Sequence, residues 1–187
     1  MTLKNFARLI VSAGLILPFA SLAQNVEVSL KDGLDGNLNS YCFDIRGGGM
    51  NIDPSQGLQA HTCYSYRGDL GSDQAFDPAS LGHGELKILA FNVCATMEGT
   101  DIGSEVGLTT CDGSEFQRFD FDADGHISPE SAPGRCLTAG MGTTFGMGGT
   151  SPHQIKTLTL QSCSDDLAAY QEWYTRTQAE YDSEQSE

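Results

Sequence analysis

The sequence predicts an all-β fold made of three similar repeats, and two observations support this prediction. A Gln-x-aromatic motif occurs three times along the chain, and a pair of cysteines precedes each copy. The copies are Gln-Ala-Phe at 74–76, Gln-Arg-Phe at 117–119 and Gln-Glu-Trp at 171–173. Apolar residues alternate in short runs between glycine- and aspartate-rich turns, and no stretch keeps a helical period over about ten residues. A pattern that recurs in order is an internal repeat, and it determines the architecture.

Each repeat is predicted to contain about four short strands. In repeat one these strands cover residues 26–30, 41–45, 58–63 and 74–76. In repeat two they cover residues 86–89, 91–96, 106–111 and 116–121. Repeat three begins near Ile127 and continues with strands at 135–138, 158–163 and 171–174. Its loop at 139–149 is rich in glycine and methionine, and no strand is predicted there.

The cysteines are expected to form one disulfide within each repeat. The chain has 6 cysteines, an even number that is typical of disulfides in exported proteins. Their spacing alone leaves several pairings open, but equivalent pairs in a repeat should form equivalent bonds. The predicted disulfides are Cys42–Cys63, Cys94–Cys111 and Cys136–Cys163.

Both ends of the chain are predicted to lie outside the repeated domain, which covers residues 24–176. Residues 1–23 have two early basic side chains, a short apolar run and a Ser-Leu-Ala end, which is the pattern of a signal peptide cleaved after Ala23. This predicts export, to the extracellular space or the periplasm. The apolar run is shorter than the ~20 residues that span a bilayer, so no membrane insertion is expected. Residues 177–187 are polar and acidic and are predicted to be a flexible tail.

The charge of the chain excludes some classes of partner. The formal net charge is −15. Binding to nucleic acid depends on lysine and arginine side chains that neutralise phosphates, so no nucleic-acid partner is expected. The same charge disfavours anionic membrane surfaces.

The order of motifs resembles that of the ricin B-chain type (R-type) lectins over residues 25–176. Cys-x-Asp at 42–44, Gln-x-His-x-Cys at 59–63 and the three Gln-x-aromatic motifs carry this resemblance. The resemblance implies a β-trefoil, which is a six-stranded barrel capped by three hairpins with pseudo-threefold symmetry. It also implies that Phe76, Phe119 and Trp173 pack in the shared core.

The resemblance further implies a sugar site in repeat one. In this family a carboxylate follows the first cysteine, an aromatic side chain precedes the second, and a polar side chain lies beside the Gln-x-Trp motif. The residues at these positions are Asp44, Gln59, His61, Asp73 and Gln74. Repeats two and three lack both a carboxylate and a ring at the matching positions, so the sequence predicts a single sugar site.

Two functional hypotheses remain open. The first is a non-catalytic module that binds carbohydrate, either galactose-type or other glycans. The second is a β-trefoil that has lost sugar binding and serves as a protein-interaction or inhibitory module. No catalytic motif is present, and no cofactor or metal is expected. The run from Asp120 to Asp124 resembles the start of a calcium loop, but it is interpreted as a hairpin turn because its closing glutamate is out of register.

Overall fold

A computed structural model describes residues 24–48 and 52–186, so the predicted signal peptide lies outside the described residues. Within this part of the chain the fold consists of short strands joined by turns. Repeat one contains β1 (Glu27–Leu30), β2 (Tyr41–Ile45) and β3 (Leu58–Thr62). Repeat two contains β4 (Lys87–Ile88), β5 (Val93–Met97), β6 (Val106–Thr109) and β7 (Phe119–Phe121). Repeat three contains β8 (Ile127–Pro129), β9 (Arg135–Ala139), β10 (Thr144–Phe145), β11 (Gln154–Lys156), β12 (Leu158–Ser162) and β13 (Trp173–Arg176).

The α-helices of the described part are short. They are α1 (Pro78–Leu81), α2 (Gly146–Gly149), α3 (Ala168–Gln171) and α4 (Gln178–Glu184).

The pairing of the strands confirms the all-β, three-repeat prediction. Each repeat contains a central antiparallel hairpin, formed by β2 with β3, β5 with β6, and β9 with β12. The first and last strands, β1 and β13, pair antiparallel and join the two ends of the domain. The fourth strand predicted in repeat one is reduced to single bridges, in which Phe76 contacts Val26 and Ile88.

The three motif aromatics lie in one shared core, as the resemblance implied. Phe76, Phe119 and Trp173 are each at most 2% exposed. The Phe43 ring lies between two of them, at 6.3 Å from Phe76 and 4.4 Å from Trp173 between ring centroids. The Trp173 indole Nε1 donates a hydrogen bond to the Leu137 carbonyl at 2.9 Å, which satisfies the polar atom of this buried ring.

The three predicted disulfides are confirmed. Cys42–Cys63, Cys94–Cys111 and Cys136–Cys163 are bonded, and each joins the two strands, or strand ends, of one central hairpin. In the chain-entropy model, closing loops of this size stabilises the fold by about 3 kcal/mol each.

Residues 140–157 of repeat three form an insertion that the sequence does not predict as strand. Its strands β10 and β11 form a hairpin, and β11 pairs antiparallel with β3 of repeat one. Lys156 of β11 is fully buried as a side chain, and its ammonium Nζ lies 2.6 Å from Asp35 and 2.7 Å from the Thr143 hydroxyl. The insertion is therefore joined to repeat one by backbone pairing and by a charged contact.

The C-terminal segment differs from the flexible tail predicted for residues 177–187. Residues 178–184 form α4, whose Thr177 cap and Glu180 make a reciprocal capping box. Tyr181 is only 7% exposed because the helix packs back onto the domain. Arg176, just before the helix, forms a buried ion pair with Glu27 and bonds Glu184 at 3.0 Å. Within the described residues no helix has the length and apolar character needed to cross a membrane.

The run from Asp120 to Asp124 forms the turn between β7 and β8. Asp122 Oδ1 accepts backbone N–H bonds from Asp124, Gly125 and His126, at 2.8–3.0 Å. Lys31 donates its ammonium to the Asp124 carbonyl. These contacts are those of a side-chain-stabilised hairpin turn, in agreement with the interpretation favoured from the sequence.

Candidate functional site

The three motif glutamines make equivalent contacts in the three repeats. Each is fully buried, and its side-chain oxygen accepts the backbone N–H of the residue after the second cysteine, at 2.7–3.0 Å. Each side-chain nitrogen donates to the carbonyl of the residue before that cysteine, at 2.9–3.2 Å. These glutamines are Gln74, Gln117 and Gln171. Buried polar groups need such partners, so these side chains hold each repeat together.

A third contact of each glutamine reaches the side chain two residues after the first cysteine. Gln74 donates to Asp44 Oδ2 at 2.9 Å. Gln117 and Gln171 instead donate to threonine hydroxyls, at 3.0 Å and 2.9 Å. Repeat one therefore has a carboxylate where the other two repeats have a hydroxyl.

The structure brings all five predicted sugar-site residues of repeat one together, but it buries them. Asp44 and Gln74 have no exposed surface, and none of the other three is more than 8% exposed. Asp44 accepts hydrogen bonds on both oxygens, since Gln59 donates to Oδ1 at 2.8 Å and Gln74 to Oδ2. The five side chains therefore form a buried polar cluster, and of the five only Gln59 borders a neighbouring cleft.

Burial also controls the ionisation of this cluster. Burial, and next the negative charge of Asp73, raise the pKa of Asp44 well above its usual value. Burial likewise raises the pKa of Asp73. The pKa of His61 is lowered to about 4, again mainly by burial. Its Nδ1 lies 2.9 Å from the Thr62 carbonyl, which can only accept, so the neutral ring carries its proton on Nδ1.

Aromatic rings and an arginine from two repeats pack over His61. The rings of Tyr64 and His153 each lie 5.2 Å from the His61 ring, and Arg67 stacks over Tyr64 at 4.6 Å. His153 Nε2 lies 2.9 Å from the Tyr66 hydroxyl and 3.0 Å from the Arg67 guanidinium. Because His153 belongs to the insertion, repeat three supplies part of the cover over repeat one.

The equivalent position in repeat three is an open pocket. It encloses about 250 Å³ and is lined by the side chains of Thr138, Thr159, Gln161, Leu167 and Tyr170, among others. Its ring comes from the residue just before the motif glutamine rather than from the strand that leads to the second cysteine. The Thr138 hydroxyl is already bonded to the Cys136 carbonyl and the Gln171 amide. The pocket therefore offers the Tyr170 ring, apolar side chains and the polar groups of Thr159 and Gln161.

Repeat two presents a shallow open surface at the same position. Thr96, Thr109, Asp112 and Phe116 border it, and Phe116 is 37% exposed. The two threonine hydroxyls are hydrogen-bonded to each other at 2.8 Å, and both accept from the buried Gln117 amide. Much of their hydrogen-bonding capacity is therefore used inside the repeat.

A family model described as the ricin-type beta-trefoil lectin domain matches residues 33–144 and, in a second alignment, 82–187. The chain belongs to this family. The β-trefoil fold implied by the motif order is thereby confirmed, and lectins of this family are carbohydrate-binding modules. No curated protein shows a significant sequence match to the chain.

Several solved structures share the fold of this chain. The mdaA-1 domain in solution has a TM-score of 0.54 at 14% identity, over 81% of this chain and 88% of that one. The β-trefoil lectin of the Vibrio vulnificus hemolysin/cytolysin, solved with N-acetyl-D-lactosamine bound, has a TM-score of 0.52 at 13% identity, over 84% and 96%. The designed threefold-symmetric protein ThreeFoil has a TM-score of 0.50 at 15% identity, over 80% and 96%. At these identities the similarity shows a shared fold and nothing more.

Sequence reasoning found the cluster in repeat one but missed the pocket in repeat three. In the family pattern the ring precedes the second cysteine, whereas Tyr170 follows Cys163 by seven residues. One feature of the sequence could have predicted this pocket. Tyr170 directly precedes the motif glutamine Gln171, and the buried position of that glutamine fixes the position of its neighbour. The covering of His61 by His153 had no local signal, since it depends on a contact between residues distant in sequence.

Proposed function

We propose that the chain is an exported, non-catalytic module that binds carbohydrate, and that the sugar occupies the pocket of repeat three. The observation that carries this proposal is the Tyr170 ring beside the polar side chains of Thr159 and Gln161. A sugar has an apolar C–H face and an edge of hydroxyl groups, so its site needs a flat ring next to donors and acceptors. Gln161 offers both a donor and an acceptor, and its one side-chain bond in the described part, to the Thr159 hydroxyl, is long at 3.3 Å.

Repeat one is the competing location, as expected from the sequence. Asp44 has no exposed surface, so a sugar reaches it only if neighbouring side chains move. A sugar that reached Asp44 would also lose its own hydration, and the carboxyl group it met already accepts two hydrogen bonds. These costs favour repeat three.

A glycan array with the mature, oxidised protein tests both locations at once. We expect retention on neutral glycans, among them galactose-terminated ones, with binding lost in Tyr170→Ala and kept in Asp44→Asn. Phe121→Ala is the matched control, because Phe121 is an exposed aromatic on β7, outside the pocket. Loss of binding in Asp44→Asn but not in Tyr170→Ala would locate the ligand in repeat one. No retention on any glycan would rule out the carbohydrate proposal.

Export has a separate test. Mass spectrometry of the protein purified from the medium or periplasm of an expressing cell should give a chain that begins at Gln24. A chain that begins at Met1 and stays with the cytoplasm would contradict export.

The second candidate is a protein-interaction module, and the exposed tip of the insertion favours it. Met141, Phe145 and Met147 are 71%, 49% and 84% exposed. Solvent-exposed apolar side chains close together are a common feature of protein-binding surfaces. This candidate gains support if the array is negative and a cross-linked partner is lost from the Phe145→Ser, Met147→Ser variant.

A further inference from the structure

A cleft lies between the insertion and repeats one and two, outside the three repeat positions. It encloses about 470 Å³. The side chains important to its chemistry are Arg46, Gln59, Glu105, Met141, Thr143 and Lys156. A volume of this size lies in the range of about 300–1,000 Å³ that is typical of small-molecule sites.

The walls of the cleft are held in place from both sides. On one side, β11 pairs with β3, in the register Lys156↔Ala60 and Ile155↔His61. On the other side, Gly57 approaches Val106 so closely that an added Cβ would lie 2.6 Å from its carbonyl oxygen. This approach brings the start of β3 next to the start of β6. The cleft is therefore built by tertiary packing rather than by one surface loop.

An ion pair borders the cleft and offers both donors and an acceptor. Arg46 Nη2 lies 2.7 Å from Glu105 Oε2, and the two side chains are 28% and 44% exposed. A guanidinium has five N–H donors and a carboxylate has about four acceptor sites, so one such contact leaves most of this capacity for a ligand. Two adjacent sugar hydroxyls can each accept from the arginine and donate to the glutamate.

Gln59 connects the cleft to the buried cluster of repeat one. Its side-chain nitrogen donates to Asp44 Oδ1, which fixes the orientation of the amide. Of the five residues predicted from the sequence to bind sugar, Gln59 is the one that lines this cleft. Met141, which is 71% exposed, adds an apolar wall against which a C–H face can pack.

The charges at the cleft favour a neutral ligand. Glu105 and the net charge of −15 disfavour an anion, while Arg46 and Lys156 disfavour a cation. Lys156 itself is fully occupied by Asp35 and Thr143 and serves as part of the wall. Hydroxyl groups match the remaining donors and acceptors without adding charge.

We infer that this cleft is a second saccharide site, where adjacent hydroxyls of a neutral sugar bridge Arg46 and Glu105. It adjoins the pocket of repeat three, since Gly140 and Met141 line both, but Tyr170 lines only that pocket. The inference rests on the proposed carbohydrate-binding function and extends it. The domain then holds two sugars at different places, one in the pocket of repeat three and one beneath the insertion.

Isothermal titration with lactose, N-acetyllactosamine, maltose and cellobiose tests this inference. For the disaccharide that binds, the wild-type protein should show two sites. Glu105→Ala and Arg46→Ala should each weaken one of them by about tenfold, as expected for a lost charge-assisted hydrogen bond. Tyr170→Ala should weaken only the other. Glu172→Ala, which removes a similarly exposed salt-bridged glutamate from Lys31, is the matched control and should leave both sites unchanged.

Thermal melts of each variant separate loss of a site from loss of the fold. An exposed ion pair contributes at most about 1 kcal/mol, so Glu105→Ala and Arg46→Ala should remain folded. One site that is lost only in Tyr170→Ala would overturn this inference and leave the proposed function intact. Absence of binding for every disaccharide in the wild type, together with a negative glycan array, would overturn both.

Discussion

The Gln74 side-chain amide donates to the Asp44 carboxylate at 2.9 Å, and neither residue has any exposed surface. In the other two repeats the equivalent glutamine reaches Thr96 or Thr138 instead. The carboxylate in repeat one therefore acts first as an internal acceptor. This assigns a structural role to a residue that the sequence presents as a ligand for sugar.

Substitutions at Asp44 should separate this structural role from ligand binding. Asp44→Ala leaves the Gln74 amide without this acceptor and should lower the free energy of unfolding by about 1–3 kcal/mol. Asp44→Thr restores a hydroxyl acceptor, as in the other repeats, and should cost less. Urea unfolding at pH 7 with the disulfides intact measures the difference. Equal losses for the two variants would show that the Gln74 contact contributes little.

The low pKa of His61 predicts a loss of stability in acid. The folded ring has a pKa of about 4, while an ordinary histidine in an unfolded chain has a pKa of about 6.5. The unfolded state therefore binds a proton first as the pH falls, and the free energy of unfolding decreases between about pH 6.5 and pH 4. The loss from this residue amounts to at most about 3 kcal/mol.

Asp44 and Asp73 change the free energy of unfolding with pH in the opposite direction from His61. The contribution of His61 is therefore measured as a difference between the wild type and a variant. The raised pKa values of the two aspartates mean that the folded state binds protons more readily, so their effect increases stability as the pH falls. The difference in unfolding free energy between wild type and His61→Gln should shift in favour of the variant from pH 7 to pH 4. His83→Gln, at an exposed position, should show no such shift. A constant difference for His61→Gln across this range would contradict the prediction.

The contact between Lys156 and Asp35 predicts unequal effects of removing its two partners. The lysine side chain is fully buried, whereas the aspartate side chain is 39% exposed. Asp35→Ala leaves a buried ammonium without its counter-charge and should destabilise the protein by about 3 kcal/mol. Lys156→Met leaves a carboxylate that water can reach, and it should cost about 1 kcal/mol. Thermal melts, together with limited proteolysis at the tip of the insertion, measure both effects, and a reversed order would contradict the assigned burial.

Removal of the C-terminal helix should destabilise the whole domain. A chain that ends at Arg176 loses Tyr181, which is 7% exposed, and the Glu184 contact to Arg176. It therefore exposes the buried ion pair of Arg176 with Glu27 to solvent, and we expect a loss of about 2–4 kcal/mol. A chain that ends at Glu184 keeps the helix and serves as the control. Identical melting temperatures for the two chains would support the flexible tail predicted from the sequence.

Much of the fold follows from residues that recur at fixed spacing. The cysteine pairs, the glutamines and the aromatics at 76, 119 and 173 identify the repeats, the disulfides and the core, because each contact is local to one repeat or common to all three. Helix α4 also had a readable signal, since Thr177 and Glu180 have the spacing of a capping box. Its polar composition led to the prediction of a tail instead.

The candidate sites were harder to predict, because they depend on contacts that occur in one repeat only. The insertion has no alternating pattern in its glycine-rich part, so its pairing with β3 comes from tertiary contact. That pairing carries His153 over repeat one and creates the cleft beside Gln59. Asp44 thus has the expected neighbours, but a segment more than one hundred residues away in the chain determines whether they are open to solvent.

The hydrogen bonds of the three motif glutamines are separate from one another, and this affects how the sequence of the domain can change. Each glutamine forms hydrogen bonds to both ends of the central hairpin in its own repeat. A change in the surface side chains of one repeat therefore leaves the glutamine hydrogen bonds of the other two repeats intact. A domain built in this way can bury the polar cluster of one repeat, as in repeat one, and keep an open pocket in another repeat, while its supporting barrel stays the same.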